Sequence, residues 1–199
     1  ARTDEREILD LCSGGGGPIV AVVRAMRADG HDVRLTMTDL YPSEGARSRV
    51  ASDGEARVRY ETSSIDATAV PRERPGLRTI FNAFHHFRPQ VAIRILASAV
   101  DSGRPIAVIE VAQRRVLTML GMLCLPIVVL LIVPFLRPFR LAWLPLTYVI
   151  PVIPLFIWWD GTISMMRVYN ADELLAMARV ADPDGRFEWH TRELQLPPS

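Results

Sequence analysis

A short apolar run that ends in four consecutive glycines constrains this chain more than any other feature. Residues 8–18 read ILDLCSGGGGP, and residues 19–26, IVAVVRAM, follow at helical spacing. The order is strand, tight glycine turn, helix. Pro18 suits a first helical turn, where its missing N–H is not needed. Gly30 stands where a helix C-terminal glycine would. Glycines at such a turn let a ligand reach the backbone, and the exposed helix N–H groups favour an anionic group there. The first element therefore reads as a cofactor cradle.

The spacing sorts the cofactors. A dinucleotide fingerprint needs a third glycine where this chain has Ile19, and a P-loop needs a lysine, of which the chain has none. What remains is Asp-x-x-x-Gly-x-Gly, met by Asp10, Gly14 and Gly16. This resembles motif I of the class I S-adenosylmethionine (SAM)-dependent methyltransferases, usually D-x-G-x-G-x-G, with Cys12 where the first glycine is usual. A glycine turn without a ligand is the plainer alternative. Residues 33–38 alternate as a half-buried strand does and end in Asp39-Leu40. An acid there, roughly 20 residues past the turn, can accept hydrogen bonds from both ribose hydroxyls; a simple turn residue is the other use. A third strand over residues 57–61 leads to Asp66-Ala67. The resemblance implies that Asp66 and Ala67 face the adenine, with a solvated loop as the alternative. Together it implies cofactor contacts at Asp10, Cys12, Ser13, Gly14, Gly16, Asp39, Leu40, Asp66, Ala67 and Asn82.

A fourth strand, residues 77–81, is followed by Asn82-Ala83-Phe84-His85-His86-Phe87. Asn82 begins the [DNS]-P-P-[YFW] motif of amino-nitrogen methyltransferases, but the prolines are absent. The segment is similar to the His-His variant of many small-molecule and lipid methyltransferases. Histidine titrates near neutral pH and can deprotonate a hydroxyl as a methyl is transferred. Either His85 or His86 suits that role; packing against the loop is the alternative for each. Two adjacent histidines with no ligand cluster elsewhere do not make a metal site. Pro89 opens an amphipathic helix to Val100, and residues 105–110 read as a buried fifth strand. Glu110 ends that strand, at the sheet edge where α/β folds place ligands. Two uses are open to it: contact with substrate, or pairing with an arginine.

The alternation of strands and helices argues an α/β, Rossmann-like sheet with helices on both faces. Then the composition breaks. Residues 116–133 and 141–159 carry no charge and flank a basic island at Arg137 and Arg140. Each stretch approaches the roughly 20 apolar residues that cross a bilayer, yet six prolines from Pro126 to Pro154 interrupt them. Three readings stand. The favoured one is an inserted apolar helical hairpin that dips into the membrane surface. Arg114, Arg115, Arg137 and Arg140 would lie at the phosphates, and Trp143, Tyr148, Trp158 and Trp159 at the interface. The others are a two-span hairpin, and a lid or dimerisation arm. Asp160-Gly161 reads as a turn, Asn170 and Glu173 as a capping box, and residues 186–190 as a sixth strand. The sequence reads as trimmed at both ends.

The domain reading is therefore a SAM-binding α/β core over 1–115, a membrane-associated insertion over 116–159, and the rest of the core over 160–199. Residues 159–169 resemble uncharacterised bacterial methyltransferase-like proteins with such an insertion after the fifth strand. A formal net charge of +1 gives no field for nucleic acid, and two cysteines in different elements suggest no disulfide framework. The expectation is a SAM-dependent methyltransferase at the cytoplasmic side of a membrane, acting on a small apolar or lipid-like acceptor, with a homodimer left open. His85, His86 and Glu110 are the catalytic candidates, and no metal is expected. The alternatives are a membrane-anchored SAM-binding module without catalysis, and a membrane assembly protein with a degenerate α/β part.

Overall fold

The computed structural model describes residues 6–111, 116–137 and 140–192. They form two compact units, Ala1–Val111 with Ala171–Ser199, and Ala112–Asn170.

In the first unit five parallel strands form one sheet: β1 (Glu7–Leu11), β2 (Arg34–Met37), β3 (Val58–Tyr60), β4 (Leu77–Phe81) and β5 (Ile106–Ile109), in the order β3-β2-β1-β4-β5. The register explains the layering, because side chains alternate between faces and aligned partners share one. Ile8, Leu35 and Val58 align and bury one face with Ile19 and Val23 of α1 (Ile19–Ala28) and Ala46 of α2 (Glu44–Ser52). Leu9, Thr36, Arg59 and Arg78 align on the other. There α3 (Pro89–Asp101) supplies Ala92, Ile95, Leu96 and Ala99, and α6 (Ala171–Ala181) packs on α3. Arg78 is buried, and its guanidinium donates to Ser98 Oγ at 3.2 Å and Ser102 Oγ at 2.9 Å. The carbonyl end of a helix favours a cation there. Burial, with the nearby charge of Arg104, pulls the guanidinium down to about 10.

Three expectations change. Residues of β5 are half-buried rather than enclosed, since β5 is the edge of the described sheet. Residues 186–190 form no strand; Asp182 instead accepts N–H bonds from Arg186, Phe187 and the Trp189 indole, which turns the chain back on itself. The loop after Asp66 is not wholly solvated: a 3-10 turn, Ala67–Ala69, lies against α3, and Val70 is buried, its N–H donating to Ser98 Oγ.

In the second unit, α4 (Val116–Ile132) packs on α5 (Val152–Arg167). A 3-10 turn, Val133–Phe135, and a π turn, Pro145–Val149, lie between them. Asp160 and Gly161 are not a turn but lie inside α5; a Cβ on Gly161 would stand 3.4 Å from Met122 Sδ and 3.5 Å from Leu125 Cδ2, so glycine lets the helices close. The compact unit runs on past Trp159 to Asn170. Among the described residues no helix is long and apolar enough to cross a membrane. The proline-bearing turns divide the apolar sequence into helices of 17 and 16 residues.

Gly76 fixes the entry to β4. Its φ is +110°, and a Cβ would stand 2.7 Å from the Glu7 carbonyl oxygen of β1. Gly76→Ala should lower unfolding free energy by roughly 2–3 kcal/mol, read from a denaturant midpoint; an unchanged midpoint would contradict this packing.

Candidate functional site

In a parallel sheet every strand delivers its following loop to the same edge. The segments after β1, β2, β3, β4 and β5 thus bring 12–17, Asp39-Leu40, Asp66-Ala67, 82–86 and Glu110 to one rim.

At the centre is Asp10, 1% exposed in β1. Its carboxylate accepts hydrogen bonds from Ser13 Oγ at 2.5 Å and Thr79 Oγ1 at 2.6 Å. Ser13 N–H donates to the Thr38 carbonyl at 2.9 Å, and Thr38 N–H to the Asp10 carbonyl at 2.8 Å. The turn is thereby stitched to β2 and β4. Cys12 takes φ +59°, and Gly14, Gly16 and Gly17 also have positive φ. The left-handed region costs a side-chain-bearing residue about 1–2 kcal/mol, which explains why glycine is usual at the position Cys12 holds. Nothing lies within 4 Å of where a Cβ on Gly14 or Gly17 would stand, so the turn keeps open space beside its backbone.

Asp39 is half-buried just past β2. Its Oδ2 accepts the Gly14 N–H at 2.8 Å and its Oδ1 the Tyr41 N–H at 2.9 Å. Leu40 and Asp66 are exposed and Ala67 is buried. Asp66 Oδ1 accepts from both N–H and Oγ1 of Thr68, at 2.8 Å each, capping the 3-10 turn. The Asp39 carbonyl accepts the Ile65 N–H, tying this loop to the second.

The carboxylates set the electrostatics. Burial pushes Asp10 up to about 6; the charge of Asp39 adds to this, and the Ser13 and Thr79 hydroxyls oppose it. Burial, then Asp39, Asp10 and Asp66, push the Cys12 thiol up to about 12. Cys12 therefore stays protonated and is neither nucleophile nor thiolate ligand. A glycine turn facing Asp39 and Asp66 repels phosphate.

On the β4–β5 side, Asn82 has φ +49°, a conformation asparagine tolerates, and its N–H donates to the Ile109 carbonyl. The reversed backbone presents the 3-10 turn Phe84–His86 to Glu110. Glu110 Oε1 accepts the N–H groups of Phe84, at 2.8 Å, and His85, at 3.2 Å. Its Oε2 lies 2.8 Å from His85 Nδ1. Glu110 therefore pairs with a histidine, not with an arginine. His85 is only 4% exposed, whereas His86 is exposed and lies against it, ring centroids 4.2 Å apart. Among the described residues no group of three potential ligands is placed to hold a metal ion.

Two supports of the turn carried no sequence signal. Tyr60 Oη donates to the Gly14 carbonyl at 2.9 Å, and Arg49 Nη2 to the Gly15 carbonyl at 2.9 Å. Tyr60 reads as a strand core residue. Arg49 lies on α2, whose face is too polar to announce a helix; the one legible mark is Ser43, whose Oγ accepts the Ala46 N–H.

No family model matches the chain, and no curated protein matches it. Solved structures do. The plantazolicin methyltransferase BamL, solved with a triazolic desmethylPZN analog and S-adenosylhomocysteine (SAH), aligns over 92% of this chain and 56% of its own, at 13% identity and TM-score 0.52. The SAM-dependent methyltransferase SibL aligns over 53% of this chain and 31% of its own, at 25% identity and TM-score 0.43. The O-methyltransferase NcsB1 from neocarzinostatin biosynthesis, solved with SAM and 2-hydroxy-5-methyl naphthoic acid, aligns over 54% and 33%, at 22% and 0.45. The chain thus spans about a third to just over half of these structures. The likeness to BamL shows the fold: an α/β fold built on a parallel central sheet.

Asp10 gives a pH test. Its folded pKa, about 6, lies above the ordinary 3.8, so its contribution to stability is fully present below the unfolded value and is lost as pH rises through about 6. Asp10→Asn should therefore gain on the parent by roughly 2 kcal/mol between about pH 4 and pH 8, measured by urea denaturation at both. A constant difference would show that the carboxyl titrates normally.

Proposed function

We propose that this chain is a SAM-dependent methyltransferase that works at a membrane surface on a small apolar or lipid-like acceptor. The observation that carries the reading is the gathering at one sheet edge of an open glycine turn, Asp39 and a histidine held by a buried glutamate. The fit to SAM rests on the donor set. The turn leaves its backbone approachable, the surrounding carboxylates suit a sulfonium and oppose a phosphate, and Asp39 has acceptor capacity for ribose hydroxyls beyond its two N–H bonds. The SAH bound by BamL supports the same cofactor class. Gly14, Gly16 and the Ser13 backbone would hold its amino-acid end, Asp39 and Leu40 the ribose, and Asp66 and Ala67 the adenine, with Asn82 beside the reactive centre. Bound there, SAM supplies an electrophilic methyl group.

The chain's own residues do the rest. Glu110 fixes the His85 tautomer by accepting the Nδ1–H, which leaves Nε2 as the basic atom. Nε2 takes the proton of an acceptor hydroxyl, and Glu110 stabilises the imidazolium that forms. His86, more exposed, lies where an acceptor would approach. Holding the acceptor in line with the methyl carbon contributes much of the rate.

The second unit supports the membrane part. Leu131, Phe135, Leu141, Val149 and Phe156 are all exposed, and so much exposed apolar surface on one small unit is of the kind that marks an interaction site. The free cysteines fit a reducing, cytoplasmic side. A dimer interface is the competing use of this patch. A second functional reading, a SAM-binding module without catalysis, is favoured by the burial of His85.

Calorimetry of SAM and SAH on the detergent-solubilised chain tests the cofactor: micromolar binding of both is expected, and no binding removes the reading. Asp39→Ala should weaken SAM binding by about 1.5–3 kcal/mol; unchanged affinity would sink the ribose role. His85→Ala should abolish radiolabelled methyl transfer to lipid extract while SAM affinity stays near the parent value. SAM binding with no transfer by the parent supports the non-catalytic module, and a His85→Ala chain that fails to fold supports a packing role.

A further inference from the structure

The second unit holds a cleft of about 450 Å³. Leu125, Val129 and Val133 line it from α4 and the turn after it, Ile157 from α5, and Leu136 and Trp143 from the connection between. Every lining residue is aliphatic except Trp143. The volume falls within the roughly 300–1,000 Å³ of small-ligand sites, which ordinarily also carry a few polar groups that orient the ligand. Here the Trp143 indole N–H is the single polar side-chain group of the lining, so the part of an occupant inside the cleft must itself be hydrocarbon. A peptide backbone would leave its amides without partners, and water would find too few.

Charge selects the rest of the occupant. Arg137 follows the lining residue Leu136, and the Arg140 carbonyl accepts the N–H of the lining residue Trp143 at 2.9 Å. Both arginines are exposed, and residues 116–159 contain no acid. The cleft is thus flanked in the chain by two cations, and the sequence of the second unit, residues 112–170, holds a single acid, Asp160 of α5. Leu131, Phe135 and Leu141 beside it are exposed apolar residues. The geometry points to one occupant: an acyl chain of an anionic phospholipid, with the chain in the cleft and the head group beside Arg137 and Arg140. This rests on the membrane reading of the second unit and is independent of methyl transfer.

The test uses the full chain in detergent, given dioleoyl-phosphatidylglycerol or dioleoyl-phosphatidylcholine and read by native mass spectrometry, with flotation on vesicles of the same lipids in parallel. The parent should retain one phosphatidylglycerol in preference to phosphatidylcholine. Val129→Trp and Ile157→Trp fill the cleft from two helices, and each should retain about tenfold less lipid while still floating with vesicles. Arg137→Gln with Arg140→Gln should erase the preference for the anionic lipid. Flotation of the parent without a retained lipid, or undiminished retention by both filled variants, overturns the cleft assignment alone. Retention of free oleate in preference to phosphatidylglycerol overturns the phospholipid assignment. Neither flotation nor retention overturns the membrane reading with it.

Discussion

A carboxylate buried in the central strand holds the glycine turn to the sheet. Asp10 sits on β1, between β2 and β4, and takes hydroxyls from the turn it precedes and from its neighbour strand. An unpaired carboxylate at that depth would be costly. The two short hydrogen bonds offset part of the cost, and the raised pKa is what remains. Because Ser13 also ties the turn to Thr38, the same few atoms fix where β1 ends and where Asp39 begins. The loops at this end of β1 and β2 depend on this anchor.

The opposite half of the rim is organised by a second buried carboxylate in another way. Glu110 satisfies two N–H groups at the start of a single 3-10 turn and the ring of His85 with the same group. That arrangement orients an imidazole and makes its position depend on β5. It also couples the loop after β4 to the edge strand, so His85 is held in place by the strand with least burial. The two halves are brought together by the parallel register, in which every loop after a strand leaves at one edge, and by the Thr79 hydroxyl of β4 on Asp10 of β1.

Most of the α/β core was legible because its signals are local. The strands from residue 7 to 109, α1, α3 and α6 follow from period and punctuation: Gly30, Pro89, Gly103 and the Asp182–Gly185 turn each end or begin an element as their backbone chemistry requires. What failed was non-local. Helix α2 has almost no apolar face, and its partner is the glycine turn, reached through Arg49. Residues 186–190 look like a strand but pair with no strand among the described residues; Asp182 accepts the N–H groups of Arg186 and Phe187 instead. Asp160-Gly161 has turn composition, yet it continues α5, because a glycine was needed against Met122 and Leu125.

By itself the sequence determined the order of elements, the glycine turn, the two charge-free stretches and the residue types at each strand end, since these depend on neighbours along the chain. Only the tertiary structure decided which of the two histidines is buried, what Glu110 pairs with, how three carboxylates crowd the turn, and where the apolar helices leave a cleft. Those outcomes depend on distances between residues 25 or more apart in sequence, such as Gly14 with Asp39 and His85 with Glu110. Spacing along a chain does not encode such distances until parallel pairing sets the register.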